Sequence, residues 1–267
     1  MDINKKDYNH KLKLEASKSK YYLSPKGLSY AWASKLKSGK ILDYGCREGD
    51  FAFSLEKLRK FSSIYGIDLD GDALNKAKLK DTNKFIKWIQ IKKNKKIPLE
   101  DSSVDNVIMT EVLEHIYDKK FILDEINRIL VKNGQAFITV PGLHTFRFLD
   151  MGNFKFIFPK IHKFFYVLKY DLQKYNYRYV KNPYGLVGDI EREAAWHKHF
   201  SLEEFKKMAQ LSGFQLIFSG GIGFFFRLFI NLEYFFPKFL KKPINKLIEI
   251  DNLLFNRAQI YFIIKKN

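Results

Sequence analysis

Between residues 40 and 140 the chain alternates short apolar runs with stretches of helical period, and this alternation constrains its fold more than any other feature. Lys40–Tyr44, Ile64–Asp68, Phe85–Gln90, Val104–Thr110 and Ala136–Val140 read as strands; Phe51–Lys60, Asp72–Lys80 and Lys119–Val131 read as helices. Asp70 is placed to cap the second helix, and Asn133-Gly134 to end the third. Strands joined through helices run parallel, and a parallel sheet is covered by helices on both faces. After Pro141-Gly142 the period is lost. The span 143–196 is expected to be a helical cap, because a stretch this long within a compact domain usually serves as a lid or binding element. Order returns at Ser201-x-x-Glu204, the spacing of a capping box, opening a helix to Leu211 that Gly213 closes. Gln215–Ser219 and Gln259–Ile264 read as two further strands around an amphipathic, Phe-rich insertion over 220–257. The expectation is an α/β protein: a Rossmann-like, doubly wound, seven-stranded and mostly parallel sheet with an antiparallel last strand and a helical cap insertion. Residues 1–39 read as a basic arm with one or two helices, and 40–267 as the main domain.

The first strand runs into Asp43-Tyr44-Gly45-Cys46-Arg47-Glu48-Gly49, a tight glycine turn before a helix start. Such a turn lets a ligand approach the backbone, and the helix N-terminus offers free N–H groups to an anion. The second strand ends in Asp68, where an acid suits the two hydroxyls of a ribose at the carboxyl edge of the sheet. No G-x-G-x-x-G follows the first strand, and no G-x-x-x-x-G-K-[ST] is present. A nicotinamide dehydrogenase and a P-loop nucleotide triphosphatase are therefore not expected.

Several ordered segments resemble class I S-adenosylmethionine-dependent methyltransferases, of the type 11 kind. Asp43-x-Gly45-Cys46-x-x-Gly49 resembles their first motif, and Gly66-Ile67-Asp68-Leu69-Asp70 the segment whose acid holds the cofactor ribose. Ile97 to Asp105, Thr110-Glu111-Val112-Leu113-Glu114-His115-Ile116, Glu125-Ile126-x-Arg128-Ile129-Leu130 and His199 to Phe205 fit as well. The resemblance implies S-adenosylmethionine as cofactor. By it, Asp43, Tyr44, Gly45, Cys46 and Gly49 shape the loop around the methionine part, Asp68 takes the ribose and Leu69 lies along the adenine. Thr110 and Glu111 line the floor near the methyl group. Two positions depart from the family pattern: Arg47 replaces the middle glycine, and Lys92 to Lys96 lacks the acid that often reads the adenine amino group, leaving Asn94 as the substitute.

Methyl transfer to a hydroxyl benefits from a base, and histidine is the usual choice. His144, His197 and His199 are the candidates, each also readable as a packed or surface side chain. Spacing at Glu193, His197 and His199 is not diagnostic of a metal, and no metal site is expected. Asn182-Pro183-Tyr184 reads as a turn rather than as an amino-methylation motif.

The net charge of +18 is unevenly spread. Residues 41–142 carry only +1, whereas 1–40 carry +7, 143–196 carry +4 and 214–267 carry +5. Segments 143–182 and 214–240 hold 22 of the 44 aromatic residues. Basic and aromatic side chains together suit an anionic membrane surface or a lid over a small-molecule, lipid-linked or glycan-precursor acceptor. The expected reaction is O-methylation. Only eight basic residues are Arg and no RNA-binding module is visible, so nucleic acid is not the expected partner. Two rivals remain: an RNA methyltransferase using the basic arm, and a non-catalytic subunit of this fold that docks on a membrane or a partner. No apolar leader follows Met1, no run of about 20 apolar residues is present and Cys46 is the single cysteine, so a cytoplasmic protein is expected; a peripheral contact at the inner face of the membrane stays open beside plain packing of the cap onto the sheet with its lysines solvated.

Overall fold

The computed structural model describes residues 5–92, 95–150, 153, 155, 157–180, 198–235 and 241–267. Two helices, α1 (Lys5–Ser17) and α2 (Pro25–Lys35), precede the strand–helix alternation. That alternation comprises β1 (Gly39–Tyr44), α3 (Asp50–Glu56), β2 (Phe61–Asp68), α4 (Gly71–Lys80), β3 (Ile86–Gln90), β4 (Val104–Thr110), α5 (Lys119–Ile129) and β5 (Leu130–Pro141). After β5 come a 3-10 turn (Thr145–Leu149), α6 (Pro159–Lys169), α7 (Leu172–Tyr175) and a π turn (Asn176–Val180). The chain closes with α8 (Leu202–Leu211), β6 (Phe214–Ile222), α9 (Phe226–Phe235), α10 (Lys241–Leu254) and β7 (Gln259–Lys266).

The seven strands form one sheet in the order β3-β2-β1-β4-β5-β7-β6. Pairing is parallel from β3 through β5, and β7 is antiparallel to both β5 and β6. The expected sheet is therefore present, with β7 slotted inside it rather than at its edge. The middles of the central strands are apolar because both faces are covered, and successive side chains enter opposite layers. Leu42, Val107, Ile138 and Phe262 face the layer containing α5 and α8; Ile41, Ile108, Phe137 and Ile263 face the layer containing α1, α2 and α3.

Asp70 caps α4, its carboxylate accepting from the N–H groups of Asp72 and Ala73. Ser201 caps α8 by accepting from Glu204 N at 3.1 Å. Helix α3 ends at Glu56, short of the expected Lys60, and the boundary after α5 also differs from the sequence reading. Helix α5 stops at Ile129 and β5 begins at Leu130, so Asn133-Gly134 lies inside the strand. Asn133 has φ +65, and the β4–β5 register shifts between Val104 and Asn106. The pair bends a strand instead of ending a helix, because both turns ask for the same left-handed conformation.

Residues 5–35 are an integral layer. Leu12, Ala16, Leu28, Ala31 and Trp32 are buried with Ile41, Phe137 and Tyr261, and the Trp32 and Phe137 rings lie 5.2 Å apart. Lys13 is buried and donates to Leu253 O at 3.1 Å and Phe255 O at 2.7 Å, which ties α1 to the end of α10. Among the described residues no helix is long and apolar enough to cross a membrane.

Candidate active site

The carboxyl ends of β1, β2 and β4 share one edge, and an open cleft of about 400 Å³ lies along it. Asp43, Tyr44, Gly45 and Cys46 line it from β1, Asp68 and Leu69 from β2, and Thr110 and Glu111 from β4. Eight of the nine residues expected to hold a cofactor are therefore together. The ninth, Gly49, is not among the lining residues: it is buried behind the loop, where a Cβ would sit 2.4 Å from the Trp88 ring. Its φ of +79 at the N-cap of α3 allows the turn, and its missing side chain allows the packing.

Sequence dictates the loop's shape. Gly45 has φ +81, and a Cβ there would lie 2.4 Å from Val112 Cγ2. The N–H groups of Gly45 and Cys46 both donate to Ile67 O, at 2.8 and 3.0 Å, locking the turn onto β2. Arg47 takes φ +50, the left-handed backbone that the family's middle glycine would adopt freely. The loop thus keeps its form without that glycine. Arg47 N donates to Asp68 Oδ2 at 2.7 Å, and Asp70 N to Asp68 Oδ1 at 2.9 Å. Each Asp68 oxygen retains a lone pair for a further donor.

Asp43 is buried at the cleft wall, and its Oδ2 has no hydrogen-bond partner among the described residues. Burial pushes its pKa up to about 7 against the pull of Lys26, with Asp68 adding to the rise. An orphaned acid of this kind fits a cationic ligand. Glu111 holds φ +54 after β4; its N–H donates to Thr139 O, and Thr139 Oγ1 donates to Glu111 Oε1 at 2.9 Å. Burial raises the pKa of Glu111 and of its neighbour Glu114. Thr110 Oγ1 and Ser29 Oγ lie 2.7 Å apart, joining α2 to the floor.

Sequence reading missed several lining residues, Lys26, Ile91, Val112, His115 and Ile116 among them. Lys26 had a signal: Ser24-Pro25 is a helix start, and Ser24 Oγ accepts from Gly27 N at 3.1 Å. Asn94, proposed for the adenine, and His197 lie outside the described residues, as do Glu193 and Asn182-Pro183-Tyr184.

His144 and His199 do not line the cleft but share a buried cluster with Asp150 and Arg227. His199 Nε2 is 3.1 Å from Asp150 Oδ2, and an Arg227 amino group is 3.2 Å from the same oxygen. His144 Nδ1 sits 3.0 Å from Gly142 O, and its buried Nε2 has no hydrogen-bond partner among the described residues. Burial lowers the His144 pKa, and the cationic Arg227 works in the same direction. Phe224 packs against both His144 and Phe146, so part of the aromatic excess is internal packing. Among the described residues no group of His, Cys, Asp and Glu is arranged to hold a metal.

Residues 42–138 match a family model described as a methyltransferase domain. The chain is 29% identical over 112 residues to the chloroplastic 2-phytyl-1,4-beta-naphthoquinone methyltransferase of Arabidopsis thaliana, covering 39% of this chain and 42% of that protein. It is 29% identical over 117 residues to the malonyl-[acyl-carrier protein] O-methyltransferase of Legionella pneumophila, covering 43% and 41%. It thus spans less than half the length of these two curated relatives. A crystal structure of an S-adenosylmethionine-dependent methyltransferase from Mesorhizobium loti superposes with a TM-score of 0.56 at 12% identity, over 91% of this chain and 98% of that one.

Proposed function

We propose that this chain, a class I methyltransferase by fold and by the domain matched over 42–138, transfers a methyl group from S-adenosylmethionine to an oxygen of a small or lipid-linked acceptor. The observation that carries the reading is one cleft in which the Gly45 turn, the orphaned Asp43 carboxyl and the open lone pairs of Asp68 meet. Its volume of about 400 Å³ falls within the usual range of small-molecule sites. In this reading Asp68 takes the ribose hydroxyls and the Gly45-Cys46 turn accommodates the methionine part. Leu69 and Ile91 flank the adenine, and Thr110 and Glu111 form the floor. When bound, the cofactor supplies an electrophilic methyl on a sulfonium, open to in-line displacement.

The chain's own contribution is alignment, exclusion of water and control of one proton. Val112 and Ile116 give the cleft an apolar side. His144 is the base we assign: its cluster adjoins the cleft floor, since Arg227 and Asp150 act electrostatically on both His144 and Glu111. With Nδ1–H donating to Gly142 O, the neutral ring presents Nε2 as a proton acceptor, and a lowered pKa keeps it neutral near pH 7. His199 is the second candidate, held by Asp150.

Two observations weigh against the rivals. The basic segment that an RNA methyltransferase would use as an arm is, over 5–35, a packed layer of the domain. Arg47, which motivated a non-catalytic reading, adopts the backbone the loop needs. Incubation with methyl-labelled S-adenosylmethionine and a whole-cell extract, then separated into organic-soluble and RNA fractions, tests the acceptor. Label should enter the organic-soluble fraction and depend on His144; label in RNA, with none in lipid, would replace this reading.

A further inference from the structure

We infer that helix α6 lies flat on an anionic lipid surface, its exposed apolar stripe set among the acyl chains and its lysines among the headgroups. Ile161, Phe164, Phe165 and Leu168 recur at i, i+3, i+4 and i+7, which places them on one face of the helix. That face points to solvent: Phe164 is 64% exposed and Leu168 73%. A soluble helix normally shows water its polar side, so this one is turned the unusual way round. The reason is visible on its other side. His162 and Tyr166 are buried there in a cluster with Tyr175 and Tyr179, whose rings lie 4.8 to 5.9 Å from theirs. An aromatic face holds α6 to the protein and leaves an aliphatic and phenyl face outward.

Charge identifies what covers that face. Helix α6 carries Lys160, Lys163 and Lys169 and no acid. By helical geometry Lys160 and Lys169 fall on the two flanks of the stripe. A second copy of this chain would bring the same lysines together and repel. A neutral apolar partner would offer no counter-charge to Lys160, which is exposed on one flank. An anionic bilayer satisfies both the stripe and its flanks, as an in-plane amphipathic helix requires. The surrounding segment shares the bias, with +4 over residues 143–196. The insertion leaves the sheet after β5, which runs parallel to β4 and so ends at the same edge as the cleft. This deepens the lipid-linked acceptor reading by naming the surface on which such an acceptor would be met.

Vesicle sedimentation of the full chain tests the inference, with phosphatidylcholine alone and phosphatidylcholine mixed with phosphatidylglycerol. The wild type should bind the mixed vesicles about tenfold more tightly or better, and weaken as salt is raised. The double variant Phe164→Glu, Leu168→Glu should lose about tenfold or more, because two apolar side chains no longer leave water. Lys160→Glu should weaken binding to mixed vesicles only. Both variants change exposed positions, so S-adenosylmethionine binding and thermal midpoint should match the wild type, which separates this test from that of the methyl-transfer reading. Equal wild-type binding to neutral and anionic vesicles, or undiminished binding by the double variant, would overturn the inference. So would a wild-type dimer that the double variant dissociates, which would assign the stripe to a second copy.

Discussion

At Asp43, Arg47 and His144, burial and backbone conformation set the chemistry more than residue type does. Arg47 is held at φ +50, which costs an L-residue about 1 kcal/mol or more. Its side chain is exposed and its N–H binds Asp68, so Arg47→Gly should keep the hydrogen bond and relieve the strain. Urea denaturation should show a gain of up to about 1 kcal/mol, less the extra freedom glycine has when unfolded; a clear loss would mean the side chain matters. Asp43 is a sharper case, because its pKa is raised from 3.8 to about 7. Folding disfavours its ionised form, so its penalty is absent below about pH 4, grows towards pH 7 and is full above it. Asp43→Asn should therefore stabilise the ligand-free protein by up to about 4 kcal/mol at pH 8 and by nothing near pH 3. The same variant should bind S-adenosylmethionine more weakly, which thermal melts with and without ligand would show together. For His144, an NMR titration of its ring should give a midpoint below 6.5, since desolvation opposes the imidazolium; a midpoint above 6.5 would remove it as a base at neutral pH. Gly45, Asp43 and Asp68 were legible in sequence because a glycine turn and strand-end acids are local signals. The pairing of His199 with Asp150 was not, since it joins residues 49 positions apart through the packing of the insertion.

Among the elements, the motif around Arg128 acts structurally. Arg128 donates to Leu99 O and Ile97 O, both at 2.8 Å, and to Asp101 Oδ1 at 2.7 Å. It also grips Glu125, whose Oε2 accepts from Ile97 N at 2.8 Å. One guanidinium on α5 thus pins the segment leading into β4, and it lowers the Glu125 pKa. Arg128→Ala would leave the mostly buried Glu125 uncompensated and should cost roughly 3 kcal/mol in chemical denaturation. Arg128→Lys should not restore it, because an ammonium cannot match five directed N–H groups. A cost below about 1 kcal/mol would show the network to be decorative. Strand cores were legible because both faces of the sheet are buried and the apolar runs are continuous. The role of α1 and α2 was not, because a lysine-rich stretch hides the face that carries Leu12, Ala16, Leu28 and Trp32. Only the Ser24-Pro25 start marked α2, and with it the arrival of Lys26 in the cleft.

In the whole molecule the charge of +18 divides by function rather than by solubility. The segment 41–142, which supplies every cleft-lining residue except Lys26, is nearly neutral, as a site for a small zwitterionic ligand would be. The excess sits on the covering elements, where the α6 stripe and its lysines meet the surroundings. The aromatic excess splits the same way, part packed around His144 and Phe224 and part turned outward on α6. Composition alone could not divide it, because burial is decided by contacts between distant segments. The central claim is that the cleft at the ends of β1, β2 and β4 holds S-adenosylmethionine through Asp68. Isothermal calorimetry with the wild type and Asp68→Ala tests it most directly. The wild type should bind one equivalent saturably, and Asp68→Ala should lose about tenfold or more of that affinity, the worth of hydrogen bonds to a charged acceptor. No saturable wild-type binding at millimolar ligand, or equal affinity in the two proteins, would contradict it.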